Sequence, residues 1–256
     1  MKGCFALLIF ILLLTGNCAS AQNPTKEEVH SIQQVINAFK SRNKSKIADL
    51  VAYPLYRSYP VKEVKNKSDF IRRFDEILTN QAISIAANSK IRDWTRESNI
   101  DGFYLDYGSL HIDGYGKISS INYATPKGIK IQEQALKADQ NSLPKSLQGG
   151  GYSPTYLIFT KTYKIRIDEK SDGATTYRFA AWELSKQNGE PDIIIENGDW
   201  QNEGTLGNHS ILFKKDERVY KVSIDVTAPD DYPDATLEIS VNENVLLTDE
   251  GNIKHD

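Results

Sequence analysis

The chain has 256 residues, with 31 Lys and Arg against 34 Asp and Glu, a formal net charge of −3. That mild acidity argues against a nucleic-acid partner, which needs a basic face, and the length allows one or two domains with a self-sufficient core. Cys4 and Cys18 are the only cysteines and both fall in the first 21 residues, so the remainder can build neither a disulfide nor a cysteine metal site.

Residues 1–21 read as a secretory signal peptide. Lys2 supplies the positive start, Phe5 to Leu14 an apolar run too short to span a membrane, and Ala19-Ser20-Ala21 the small-residue cleavage site. Cleavage after Ala21 would start the exported chain at Gln22, in the periplasm or outside the cell. The alternative is a lipoprotein anchored at Cys18, but Thr15-Gly16-Asn17 fits a lipobox poorly. No later apolar run approaches membrane length, so no transmembrane segment is expected. Export without disulfides suits a bacterial protein.

Thr25 and Glu28 form a T-x-x-E capping box, and Val29, Ile32, Val35, Ile36 and Phe39 then mark an amphipathic helix. Ser45 caps a second helix carrying Ile47, Ala48, Leu50 and Val51, which Pro54 ends. Alternation over 55–61 suits a short edge strand, where prolines are tolerated. Ser68 caps a third helix with Phe70, Ile71, Phe74, Ile77 and Leu78 on one face and Arg72, Arg73, Asp75 and Glu76 on the other. Residues 82–87 are ambiguous between helix and strand. A β-meander follows over 102–106, 109–113 and 117–123, with glycine-bearing turns between the strands. Residues 124–155 are polar, allow a short helix at 129–138, and carry Gly149-Gly150-Gly151, a glycine hinge. Eight β-rich runs then follow at 156–160, 163–168, 175–183, 192–196, 209–213, 219–226, 236–241 and 245–248. Turn residues at 171–173, 197–199 and 242–244 punctuate them, a spacing that suggests a sandwich or small barrel.

In element order the first half resembles the nuclear transport factor 2-like superfamily, which includes ketosteroid isomerase and scytalone dehydratase. The resemblance covers about residues 25–123: the Val29 helix, the Ile47 helix, Tyr53-Pro54-Leu55, the Phe70 helix, then the meander ending Gly116-Lys117-Ile118. It implies a curved sheet on helices with a pocket at its open end, in a superfamily hosting both enzymes and binding or dimerisation modules. The second half is loosely similar to small exported β-domains such as lysozyme-inhibitor modules. The expected fold is therefore α+β, a helix-backed curved antiparallel sheet (a cone) followed by an all-β sandwich or small barrel. Its expected parts are a signal peptide at 1–21, the α+β domain at 22–140, a linker at 141–152 and a β-rich domain at 153–256.

Chemistry is sparse in this sequence. The histidines are scattered, so no metal or cofactor is expected. His111, in mid-strand, would serve as a general base if it faced the cone interior, and Asp93, next to Trp94, if an apolar pocket raised its pKa. The packing alternatives are a hydrogen-bonded strand histidine, a turn-capping Asp93 and a core Trp94. Tyr53, Tyr56 and Tyr59 with Arg57 and Trp94 would line a pocket for a small anionic or aromatic ligand. The leading reading is an exported two-domain binding protein for an unknown small ligand or protein, with a homodimer through the N-terminal sheet as one partner option. The alternatives are a small isomerase or hydrolyase and an interaction protein acting through its C-terminal domain.

Overall fold

The computed structural model describes residues 24–96, 101–171, 175–186, 189–204, 207–229 and 231–254. The expected signal peptide with Cys4 and Cys18 lies outside the described residues, as do most of the turn at 171–173, Asp230 and His255.

The first half is α+β. Helix α1 (Lys26–Lys40) begins on the capping box: Thr25 Oγ1 accepts from the Glu28 amide, and Glu28 accepts from the Thr25 amide. Helix α2 (Lys44–Ala48) is capped by Asn43, not Ser45, because the Asn43 carboxamide oxygen reaches the amides of both Ser45 and Lys46. The single helix expected to run to Leu78 is two pieces, α3 (Lys67–Arg72) and α4 (Phe74–Ile77), capped by Asn66 and broken at Arg73. Its apolar face survives the break, with Phe70, Phe74, Ile77 and Leu78 buried and the two Phe rings edge to face at 5.7 Å. Residues 82–87 are helical, within α5 (Asn80–Asn88), because Thr79 caps the segment and Ala82, Ile83, Ala86 and Ala87 bury one face.

Strands β1 (Phe103–Leu105), β2 (Leu110–Ile112) and β3 (Ile118–Ile121) form an antiparallel sheet in chain order. Single bridges extend both edges, Thr95 to Tyr104 and Val51 to Ile118. Phe103, Leu105, Leu110, Ile112, Ile118 and Ile121 share one core with α1 to α5. The edge strand expected at 55–61 does not form. Leu55 pairs only with Val64, Ser58 to Val61 turn, and Arg73 occupies the carbonyls of Lys62 and Glu63 that a strand partner would use. The Tyr53-Pro54 and Tyr59-Pro60 peptide bonds are cis.

Helix α6 (Pro126–Ser142) exceeds the helix expected at 129–138, because Thr125 caps it and Pro126 occupies its first turn. Of the segment expected as a linker, 148–151 are exposed and Leu147 is buried. A 3₁₀ turn at Lys145–Leu147 buries Leu147 against Ala180 and Trp182, and the three glycines, all at positive φ, turn the chain into the next strand.

The second half is a closed barrel, which decides between the two all-β options. Its strands are β4 (Tyr152–Thr160), β5 (Tyr163–Lys170), β6 (Tyr177–Glu183), β7 (Ile193–Asn202), β8 (His209–Lys215), β9 (Arg218–Ile224), β10 (Ala235–Val241) and β11 (Asn244–Ile253). Each pairs antiparallel with the next, and β11 returns to β4 with Gly251 opposite Thr160. Inward residues such as Ile165, Ile167, Phe179, Ile211, Phe213, Val222 and Leu237 fill the interior, as in small barrels generally. The turn expected at 197–199 is instead an irregularity within β7. Asn197 is left-handed (φ 61°), the register with β6 slips there, and a Cβ on Gly198 would collide with the Phe213 ring. At one end, buried His209 stacks on Trp200 at 3.7 Å. Its Nδ1–H donates to the Gly207 carbonyl, so Nε2 accepts from the Tyr156 hydroxyl at 3.0 Å. Among the described residues, no helix is long and apolar enough to cross a membrane.

Candidate ligand-binding site

The Tyr-Pro segment leaves the first core at Leu55 and re-enters it at Val64. Between them Arg57 folds back over the end of β3, where its Nη1 donates to the Ile121 carbonyl at 2.9 Å. The start of α6 closes the opposite side. Thr125 Oγ1 accepts from the Gly128 amide and donates to the Glu76 carbonyl, fastening the helix to the end of α4. Gly128 is required at that contact, since a Cβ would lie 2.6 Å from the Glu76 carbonyl oxygen. The space left is a groove of about 340 Å³ whose walls include Tyr56, Arg57, Arg73, Tyr123, Thr125 and Gln132. That is within the size range of small-molecule sites.

Charge in this groove is unevenly matched. Arg73, only 8% exposed, holds Glu76 through Nε at 2.9 Å and the carbonyls of Lys62 and Glu63 through Nη1. Lys127 approaches the other Glu76 oxygen at 3.5 Å, so both oxygens of that carboxylate have a cationic neighbour. Arg57 has no carboxylate within ion-pair distance among the described residues. Burial, and then the neighbouring Arg73 charge, push its pKa below the ordinary guanidinium value, with Glu76 partly offsetting both. A guanidinium stays protonated regardless. The groove therefore carries a half-buried cation with unused N–H donors. The Tyr123 hydroxyl is buried with Asp106 as its neighbour; burial first, then the charge and hydrogen bonding of Asp106, hold its pKa up.

Of the residues picked from sequence, only Tyr56 and Arg57 line this groove. Tyr53 packs edge to face on Phe70 and donates to the Ala48 carbonyl. Trp94 is buried, its indole N–H on Ser89 Oγ at 3.1 Å. Tyr59 points to the barrel side and donates to Asp139 at 3.2 Å. Asp93 is exposed and accepts from the Lys90 amide. His111 lies on the sheet face away from the core, stacked on Tyr104, donating to the Asp101 carbonyl and accepting from Ser119. Neither Asp93 nor His111 lines the groove. Arg73, Glu76 and Thr125 were missed as site residues; Thr125-Pro126 was the readable signal, a cap followed by a first-turn proline. Among the described residues, no group of three or more His, Cys, Asp or Glu side chains gathers to hold a metal ion.

The molecule so defined is an α+β protein whose helix-and-sheet half is joined through α6 to an eight-stranded antiparallel barrel. No family model, curated protein or solved structure matches it.

Proposed function

We propose that this is an exported binding protein that takes a small ligand bearing a carboxylate or similar anionic group in the groove between the Tyr-Pro segment and α6. The observation that carries the reading is Arg57, a half-buried guanidinium with one carbonyl partner and no carboxylate partner among the described residues. An anion there would gain charge-assisted hydrogen bonds and offset the burial of the cation. Tyr56 and Tyr123 on the walls favour an aromatic or amphipathic body behind the anionic head. In this reading the N-terminal half is a nuclear transport factor 2-like unit, supported by its order of helices followed by a meander, and the groove is its ligand end. Export is supported by the composition of residues 1–21, and sequencing the amino terminus of the secreted protein tests it, with Gln22 expected first.

Benzoate and benzamide test the binding reading, because they share a shape and differ in charge. Benzoate is expected to raise the melting temperature more than benzamide does, and Arg57→Met to abolish the difference. Equal effects of the two compounds, or a preference that survives Arg57→Met, would contradict it.

A further inference from the structure

We propose that the seam between α6 and the barrel holds a second ligand site, for a small oxyanion bound by Lys164 above the Trp182 ring. The site is built on the outer face of β5 and β6, apart from the Arg57 groove. A cavity of about 320 Å³ opens there between Tyr59, Asp139 and Ser142 on one side and Lys164, Arg166 and Trp182 on the other.

The charges around it decide its sign. Asp139 takes both Nη atoms of Arg166, at 2.9 and 2.6 Å. Asp168 takes Nε of Arg166 at 2.6 Å and Nη2 of Arg178 at 2.6 Å. Those two arginines and two aspartates cancel one another. Lys164 is left over: its ammonium lies 4.8 Å from the Trp182 ring centroid and has neither an ion pair nor a hydrogen-bond acceptor among the described residues. Lys254 and Arg166 add positive potential around it, only partly offset by Asp139. Tyr59 spends its hydroxyl proton on Asp139, so it is not a donor to the ligand. The ammonium supplies three N–H donors, and each Nη of Arg166 retains one N–H beyond its Asp139 bond. A small oxyanion, phosphate or carboxylate, matches this set; a cation would meet Lys164 head-on.

Trp182 makes the test direct, since its indole lies beside the bound anion and its N–H is fixed on the Gly189 carbonyl. The ¹⁵N-labelled full chain is titrated at constant ionic strength with sodium phosphate and, in a second arm, sodium acetate. The indole resonance is assigned by Trp182→Phe. A saturable shift of that resonance is expected with at least one anion, and the arm that responds identifies the oxyanion class. Lys164→Met should weaken binding about tenfold or more, Lys164→Arg should retain it, and Arg57→Met should leave it unchanged. An indole resonance unmoved by both anions, or a saturable shift that persists in Lys164→Met, would overturn the proposal. Neither result bears on benzoate discrimination at Arg57.

Discussion

Arg57 and Lys164 illustrate one rule at the scale of single residues. A half-buried cation that meets a carbonyl or a ring and no carboxylate has its desolvation only partly offset, so an external anion would be stabilised beside it. His209 shows the opposite economy, being fully satisfied as a neutral ring. Its Nε2 accepts from Tyr156 and its Nδ1–H donates to Gly207, so a second proton would displace the Tyr156 hydroxyl hydrogen from its acceptor. Burial is the largest cause lowering its pKa from the ordinary 6.5, and the same holds for His111. The unfolded chain takes up protons near 6.5 that the folded chain refuses. Stability from these groups is therefore complete above that value and lost as pH falls below it. Urea denaturation at pH 7.5 and 5.0 should show lower stability at pH 5.0, with a smaller difference in the His111→Gln/His209→Gln double variant. Carboxylates such as Asp69 and Glu203, held below their ordinary values, stay ionised in this window. Equal stability at the two pH values would contradict the assignment.

Among the elements, α6 is held by its first turn. Ala normally stabilises a helix interior over Gly by about 1 kcal/mol, but at position 128 the added Cβ meets the Glu76 carbonyl oxygen. Gly128→Ala should therefore destabilise the protein and speed hydrogen exchange in α6. A stabilised variant would mean that this end of α6 is not clamped. The elements also show what could be read in advance. The Thr25–Glu28 box, the apolar face of Phe70, Phe74 and Ile77, and a run within each of the eight barrel strands were legible, because each depends on neighbours a few residues away, although β7 was read only to 196 and β11 only to 248. Asn197-Gly198 misled because the same dipeptide chemistry serves a turn or a bulge; only the Phe213 ring, from another strand, makes the glycine necessary. Closure of β11 on β4 joins residues about ninety positions apart and leaves no local trace. The groove was half legible. Tyr56 and Arg57 stand in one conspicuous segment, whereas the break at Arg73 and the carbonyls it serves exist only once that segment is folded over α3 and α4.

At the level of the whole molecule, two separate apolar cores are joined by the small Leu147, Ala180 and Trp182 cluster and the buried arginine–aspartate network. Removing one member leaves the network with one unmatched buried charge. Asp139→Ala should cost about 3–5 kcal/mol, measured by denaturation, whereas the paired change Asp139→Leu with Arg166→Met should recover most of that. A single-variant cost below about 1 kcal/mol would mean that the network does not tie the halves together. The groove depends on this arrangement, because α6 forms one of its walls and anchors in the network at Asp139.

The measurement that bears most directly on the binding reading is the Arg57 side-chain Nε–H resonance of the ¹⁵N-labelled protein during a benzoate titration. It should shift saturably, together with the backbone amides of Asn122, Tyr123 and Gly128. An Arg57 resonance that stays in place through the titration would contradict anion binding in this groove.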